Sequence, residues 1–322
     1  MIYDVIIVGS GAAGLSAGLY AGRYLMKALV IGKEFGGETA RAGTIWNYPG
    51  AANIDGYELM KVMREQGKGV GTEFIDGEVQ SVENLDGCFR VYVKDKIFDA
   101  NTLVFASGSE RRRLGLIDED RLTSKGVHYC VTCDGPLYGG KKVAVVGGGD
   151  GSVKSAVNMG TYANHIYVIV RGDTFSAEPV NVEALKALGD KVTILFGTEV
   201  KGLVGGDHLE KIILSKPHQD STELALDGLF IEIGAIPNVA LPKSLGVHLD
   251  EKGYVSVDND MKTNVPGVFA AGDTTNHFGF FKQDITAAAM GAVAATSAYQ
   301  HRKLRGNLCE VHWKPENATA SS

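Results

Sequence analysis

Val5-Ile6-Ile7-Val8-Gly9-Ser10-Gly11-Ala12-Ala13-Gly14 decides how the start of this chain folds. The run from Tyr3 to Val8 reads as a buried parallel strand, because a sheet covered on both faces wants apolar side chains on both. A Gly-x-Gly-x-x-Gly turn follows at once, then a helical stretch from Leu15 to Arg23. Lys27 to Ile31 reads as a second buried strand, with Glu34 just beyond it. Strand, glycine turn, helix, strand and acid together make a βαβ nucleotide-binding unit. The glycines form the turn and bring backbone to a pyrophosphate at the helix N-terminus, and the acid bonds the adenosine ribose. Gly9, Gly11, Ala12, Ala13, Gly14 and Glu34 are therefore candidate nucleotide contacts.

Working outward, the same pattern recurs at Lys142 to Val146, Gly147-Gly148-Gly149-Asp150-Gly151-Ser152, a helix to about Ala163, and a strand from His165 to Val170. One fold unit is used twice, which is not a solenoid repeat. Ser152 stands where a third small residue is expected, so helix packing survives. Val170-Arg171-Gly172-Asp173 offers one cation and no acid directly at the strand end. Arg171 reads either as a partner for a 2′-phosphate or adenine, or as a surface arginine. Gly147, Gly149 and Asp150 join it as candidate contacts of a second nucleotide.

The segments between and after these units read mostly as strands: Gly87 to Phe98, Thr102 to Gly108, Lys191 to Leu214, and Leu229 to Gly234. Gly267 to Asp273 is a strand running into a turn, and an Ala-rich helix follows from about Gln283 to His301. The Gly272-Asp273 turn supports a cofactor larger than a nicotinamide, since its carboxylate would reach a ribityl or phosphate group of a flavin. The tail from Gly306 to Ser322 holds Cys309, Trp313 and Pro315 without periodicity. Either it docks on the body, with Trp313 over the flavin or a dimer seam, or it is a loose end.

Cys130-Val131-Thr132-Cys133-Asp134-Gly135 carries the chemistry. Two cysteines separated by two residues, shortly before the second glycine turn, can form a reversible disulfide. A zinc site needs four ligands, and His128 with two cysteines is too few. A redox pair needs one thiol that attacks an external disulfide and one that releases it. Asp134 is the candidate proton donor and acceptor, or else a turn-forming aspartate before Gly135. The other two cysteines of the four, Cys88 and Cys309, are expected to be passive thiols.

Bulk properties exclude other classes. The 322 residues carry a net charge of −6, with 44% hydrophobic and 22% charged residues, ordinary for a globular protein. No basic footprint for nucleic acid is present, and Arg111-Arg112-Arg113 reads as a solvated or hinge segment. No apolar run reaches the ~20 residues that span a bilayer, and the N-terminus carries no basic leader. A cytoplasmic location is expected, where a CxxC is usually catalytic or metal-binding.

At this point the chain resembles the low-molecular-weight thioredoxin reductases of bacteria and archaea, over nearly its whole length to about Gln300. The matching segments are Gly9 to Gly14, Gly36-Gly37, Asn47 to Gly50, Ala106 to Gly108, Cys130 to Gly135, Gly147 to Asp150, Gly234 to Asn238, and Phe269 to Asp273 with Gln283. The resemblance implies an α/β fold of two Rossmann-like domains of the three-layer ββα type, the FAD domain split by an inserted NAD(P)-type domain. The expected boundaries are 1–113 and 243–305 for the FAD domain, 114–242 for the domain with the dithiol, and 306–322 for the tail. It further implies a homodimer, a large rotation between domains, Cys133 facing the flavin, Cys130 attacking thioredoxin and Asp134 handling protons. Asn47, Asp273 and Gln283 would contact FAD, with Gly37, Ala106, Gly108, Gly272 and Lys282 around them.

The departures from the family concern the donor. Where relatives read His-Arg-Arg, three residues, then Arg, this chain has Val170-Arg171-Gly172 and then Ser176. Two arginines that would hold the 2′-phosphate of NADPH are missing, each bond being worth about 1.5–3 kcal/mol. Gly-Gly-Gln is Gly36-Gly37-Glu38, and the arginine before Gln283 is Lys282. Some relatives with altered nucleotide sites take electrons from ferredoxin. The expectation is thus a FAD-dependent disulfide reductase acting on thioredoxin or a thioredoxin-like protein, with NADPH, NADH, or ferredoxin or another carrier as donor. A dithiol oxidase and a non-enzymatic redox sensor are the alternatives.

Overall fold

The computed structural model describes residues 2–42, 44–45, 47–279, 281–307 and 309. The chain forms two compact units. The first takes the residues up to Ser109 and those from Pro237 on, and the second is Glu110–Ile236. The chain crosses between them twice, in the strands Ser109–Arg111 and Ala235–Pro237.

In the first unit a parallel sheet runs in the order Val268–Ala270, Leu103–Phe105, Val5–Val8, Ala28–Gly32, Glu73–Asp76. Side chains alternate across it, as period two requires. Val5, Ile7, Val30, Val104 and Phe269 face a layer of helices, chiefly Ala12–Arg23, Gly56–Gly69 and Asp284–Arg305. Ile6, Val8, Leu29, Ile31, Leu103 and Phe105 face a second sheet through Tyr3, Phe89, Val91 and Phe98. That sheet runs Ile2–Tyr3, Lys96–Ala100, Cys88–Val93, Ser81–Leu85. Burying both faces is what makes the strand Val5–Val8 a continuous apolar run. The helix Asp284–Arg305 buries a stripe of small residues, Ala287, Ala288, Gly291, Ala294, Ala295 and Ala298. Gln283 caps it, exchanging hydrogen bonds with Thr286 as a capping box.

The second unit repeats this plan. Its parallel sheet runs Val127–His128, Gly228–Ile231, Lys142–Val146, His165–Ile169, Val192–Leu195. Val143 and Val145 face the helix Asp150–Met159, while Ala144 and Val146 face an antiparallel sheet of Val200–Val204, Lys211–His218 and Ser221–Ala225. That helix ends at Met159 rather than near Ala163, because Gly160 to Tyr162 continue as a hydrogen-bonded turn. Among the described residues no helix is long and apolar enough to cross a membrane.

Of the tail, Gly306, Asn307 and Cys309 are described; Cys309 is buried and joined to Cys88 by a disulfide with Cα atoms 4.9 Å apart. The expectation of two passive thiols is corrected here. Cys88 opens the strand Cys88–Val93, and the Cys309 N–H donates to Asn101 Oδ1 at 3.1 Å, so Cys309 is seated beside this strand. Trp313 lies outside the described residues.

Candidate active site

Cys130 and Cys133 form a disulfide whose Cα atoms are 5.4 Å apart. Cys130 is the extended N-cap of the short helix Val131–Asp134, and its Sγ accepts the Cys133 N–H at 3.1 Å. A sulfur that accepts a backbone N–H holds negative charge more easily than one that does not. Asp134 closes the helix, and its carboxylate turns toward His128, at the end of the strand Val127–His128. His128 Nδ1 lies 2.9 Å from Asp134 Oδ2, and Nε2 lies 2.7 Å from the Tyr138 hydroxyl. The His128 ring stacks on Phe230 at 5.2 Å between centres. The His128 side chain is only 3% exposed, whereas that of Asp134 is 34% exposed. Burial, with lesser help from the charges of Asp134 and Asp227, pushes the Tyr138 hydroxyl up to about 12. Tyr138 therefore stays protonated and is a hydrogen-bond donor at neutral pH.

The first glycine turn has the geometry a diphosphate needs. Gly9 sits at φ +117°, and a Cβ there would fall 2.0 Å from Ala106 O. A Cβ on Gly14 would fall 1.9 Å from Gly9 O. Gly11 is different, since its Cβ would meet nothing nearer than Gly36 O at 3.8 Å. Two glycines thus serve the chain's own packing, and the middle one keeps an approach open. Gly11 is also the N-cap of the twelve-residue helix Ala12–Arg23 and offers no side-chain acceptor, which suits an anion at the helix end.

Gly37 and Gly272 pack against this turn, and the other candidates have partners of their own. A Cβ on Gly37 would lie 3.6 Å from Gly11 Cα, and one on Gly272 would lie 3.0 Å from Ala13 Cβ. Asn47 Nδ2 donates to Gln283 Oε1 at 2.8 Å. The Gly108 carbonyl accepts the Asn238 N–H at 3.0 Å. Burial raises the Asp273 carboxyl above its usual range, against the opposing charge of Lys282. The Lys282 ammonium, itself lowered by burial, donates to Thr275 O and lies 4.7 Å from the Tyr254 ring centre. Glu34 pairs with Arg41, and its main-chain oxygen accepts the Ser10 hydroxyl at 2.9 Å.

The second turn repeats the geometry of the first at its middle glycine: a Cβ on Gly149 would meet nothing nearer than Ser176 Oγ at 3.7 Å, and Gly149 caps the helix Asp150–Met159 without a side-chain acceptor. Gly147 sits at φ +137°, with a Cβ position 2.2 Å from Glu232 O, and Ser152 is buried and donates to Gly149 O at 2.8 Å. Gly148 O accepts the Ser176 N–H at 2.8 Å and the Ser176 hydroxyl at 3.3 Å. Asp150 Oδ1 accepts the Glu178 N–H and Asn181 Nδ2, each at 2.8 Å. Glu232 is buried alongside, pairing with Arg111 and accepting the Ser155 hydroxyl at 2.9 Å. Arg171 is exposed, near enough to Glu199 to help Lys201 hold that carboxyl down.

Residues 3–297 match the pyridine nucleotide-disulphide oxidoreductase family. The thioredoxin reductase of Coxiella burnetii is 36% identical over 310 residues, covering 93% of this chain and 96% of that protein. This chain belongs to the thioredoxin reductase family. The structure of thioredoxin reductase from T. acidophilum is 33% identical, with a TM-score of 0.86 over 93% of this chain and 98% of that one. A ferredoxin-flavin thioredoxin reductase from Clostridium acetobutylicum is 31% identical, with a TM-score of 0.52 over 94% and 98% of the two chains.

Within this thioredoxin reductase frame, three side chains stand at the candidate sites that sequence reasoning passed over. His128 enters the sequence argument only as a zinc ligand, and Tyr138 and Glu232 not at all, although an acid inside the apolar run Leu229 to Gly234 is unusual. Arg111, expected in a solvated or hinge segment, lies in the crossing strand Ser109–Arg111 and is the partner of that buried acid.

Proposed function

We propose that this chain is a FAD-dependent thioredoxin-disulfide reductase that passes electrons through Cys130–Cys133 to thioredoxin or a thioredoxin-like protein. The observation that carries the reading is the Cys130–Cys133 disulfide with Asp134 at its helix. The first unit fits FAD: its middle glycine leaves an open approach, its helix end has no side-chain cap, and a partly buried carboxylate stands beyond. Gly9, Gly11 to Gly14, Gly37, Ala106, Gly108 and Gly272 would line it, with Glu34, Asn47, Asp273, Lys282 and Gln283 as polar partners. FAD, when bound, supplies a two-electron carrier between the donor and the disulfide.

The chain's own residues account for the rest. Two electrons and two protons open the Cys130–Cys133 bond to two thiols. The Cys130 thiolate, steadied by the Cys133 N–H, attacks one sulfur of the partner's disulfide. A mixed disulfide forms, and the other partner sulfur leaves as a thiolate and takes a proton. Cys133 then attacks Cys130 Sγ, which restores the internal bond and releases the second partner thiol. Asp134 accepts the proton from the attacking thiol and returns one to the leaving group.

For the donor we infer a ferredoxin-type protein, the donor class named in the Clostridium acetobutylicum relative. The observations behind this are the single arginine, Arg171, in the segment where relatives carry three, and the bonds from Ser176 onto Gly148 O and from Glu178 and Asn181 onto Asp150. A 2′-phosphate would have one arginine of that set left to meet it. A homodimer in the cytoplasm completes the reading.

The test is anaerobic. The purified yellow protein is mixed with NADPH, NADH or reduced ferredoxin, and flavin absorbance is followed with thioredoxin present. Bleaching by ferredoxin with turnover of thioredoxin is expected. Fast bleaching by micromolar NADPH would return the donor to the nucleotide. Cys130→Ser and Cys133→Ser should each abolish thioredoxin reduction with FAD retained. Full activity in either would sink the dithiol mechanism, and peroxide formation from a small dithiol without thioredoxin turnover would make this an oxidase.

A further inference from the structure

His128 has two polar atoms, both are buried, and both are used. An ionised carboxylate only accepts, so the Nδ1 facing Asp134 carries the hydrogen. The neutral ring then accepts at Nε2, and the Tyr138 hydroxyl has its hydrogen to give. One tautomer satisfies all three groups, and it is assigned from the network rather than seen directly. Phe230 fixes the plane of the ring from one side. Tyr138 is wedged in turn against Gly228, where a Cβ would lie 2.4 Å from its ring.

We propose that His128 is a positioning residue for the thiol–disulfide step. It commits Asp134 Oδ2 inward and so leaves Oδ1 to exchange protons with the Cys130–Cys133 pair. The proposal rests on the disulfide-reductase reading and adds to it a residue two positions before the dithiol. A carboxylate at the end of a four-residue helix, a third exposed, would otherwise turn freely about its side-chain bonds. The arrangement is a holder rather than a wire. A wire would need Tyr138 to give up its proton, and burial holds that proton up to about 12. The charged groups that reach the cluster from neighbouring elements are Asp227, just before the strand Gly228–Ile231, and Lys141, whose ammonium lies 5.8 Å from the Tyr138 ring centre.

Two readouts test this. The first is the pH profile of thioredoxin reduction by the holoenzyme. His128→Leu removes both ring nitrogens and should lower kcat about tenfold with KM for thioredoxin unchanged, against about 10²-fold for loss of the acid–base group itself in Asp134→Asn. The pH profile should change shape with it, whereas His128→Asn, whose amide N–H can still donate to Asp134, should keep most of the rate and the wild-type profile. Tyr138→Phe keeps the ring and removes one hydrogen bond. It should alter the pH profile in the same way by less, with a loss of about fivefold. The second readout needs no thioredoxin: dithionite-reduced protein is alkylated with iodoacetamide across the same pH range, and His128→Leu and Tyr138→Phe should displace that profile too. Unchanged profiles in Tyr138→Phe, or His128→Asn no better than His128→Leu, would overturn the proposal and leave His128 a core side chain. Wild-type protein that alkylates normally but reduces no thioredoxin would instead overturn the functional reading alone.

Discussion

A single missing carbon separates two kinds of glycine in the first turn. At Gly9 and Gly14 an added methyl would collide with backbone at 2.0 and 1.9 Å, so these positions belong to the fold. At Gly11 it would stand in open space at the helix end, so that position belongs to the ligand. Gly11→Ala should therefore give a folded protein with native circular dichroism that purifies colourless, having lost FAD. Gly9→Ala should cost about 3 kcal/mol or more, because strain at positive φ and a backbone clash add. A yellow Gly11→Ala protein with unchanged flavin affinity would remove the turn from the site. At this scale the sequence was legible wherever chemistry is local. Cys130, Cys133 and Asp134 adjoin one another, and the glycine spacing carries its own mechanism. His128 was not legible, because its meaning lies in a fold-back that brings Asp134 and Tyr138 to its two nitrogens. Nor was Glu232, whose partner Arg111 comes from the far side of the unit's chain.

Among the elements, those that bury both faces announced themselves. Val5–Val8, Leu103–Phe105 and Lys142–Val146 are nearly unbroken apolar runs because each is sandwiched between helices and a second sheet. The Ala-rich helix was legible from composition, and its start at Gln283 is fixed by a cap readable only with Thr286 in view. The tail was illegible for the opposite reason. It has no period, and what seats Cys309 is a disulfide to Cys88, 221 residues away in the chain, with a backbone hydrogen bond to Asn101. Closing so long a loop removes entropy chiefly from the unfolded chain. The double variant Cys88→Ser/Cys309→Ser should therefore lose about 2–4 kcal/mol of stability, read from urea unfolding under non-reducing conditions, with thioredoxin reduction intact. Loss of activity at full stability would assign this pair to the electron path instead.

Over the whole molecule, the two-unit plan follows from one βαβ design used twice, each copy with apolar clusters on both faces of its sheet. The repeat of the glycine turn made that legible, while the places where the chain crosses, Ser109–Arg111 and Ala235–Pro237, carry no periodic signal. The Cys88–Cys309 bond has one more consequence, which is topological. Because Glu110–Ile236 lies between those cysteines, the whole second unit sits on a covalently closed ring. A protease that nicks any loop of that unit opens the ring without releasing a fragment. Nicked protein should run as one band on a non-reducing gel and as two once dithiothreitol is added.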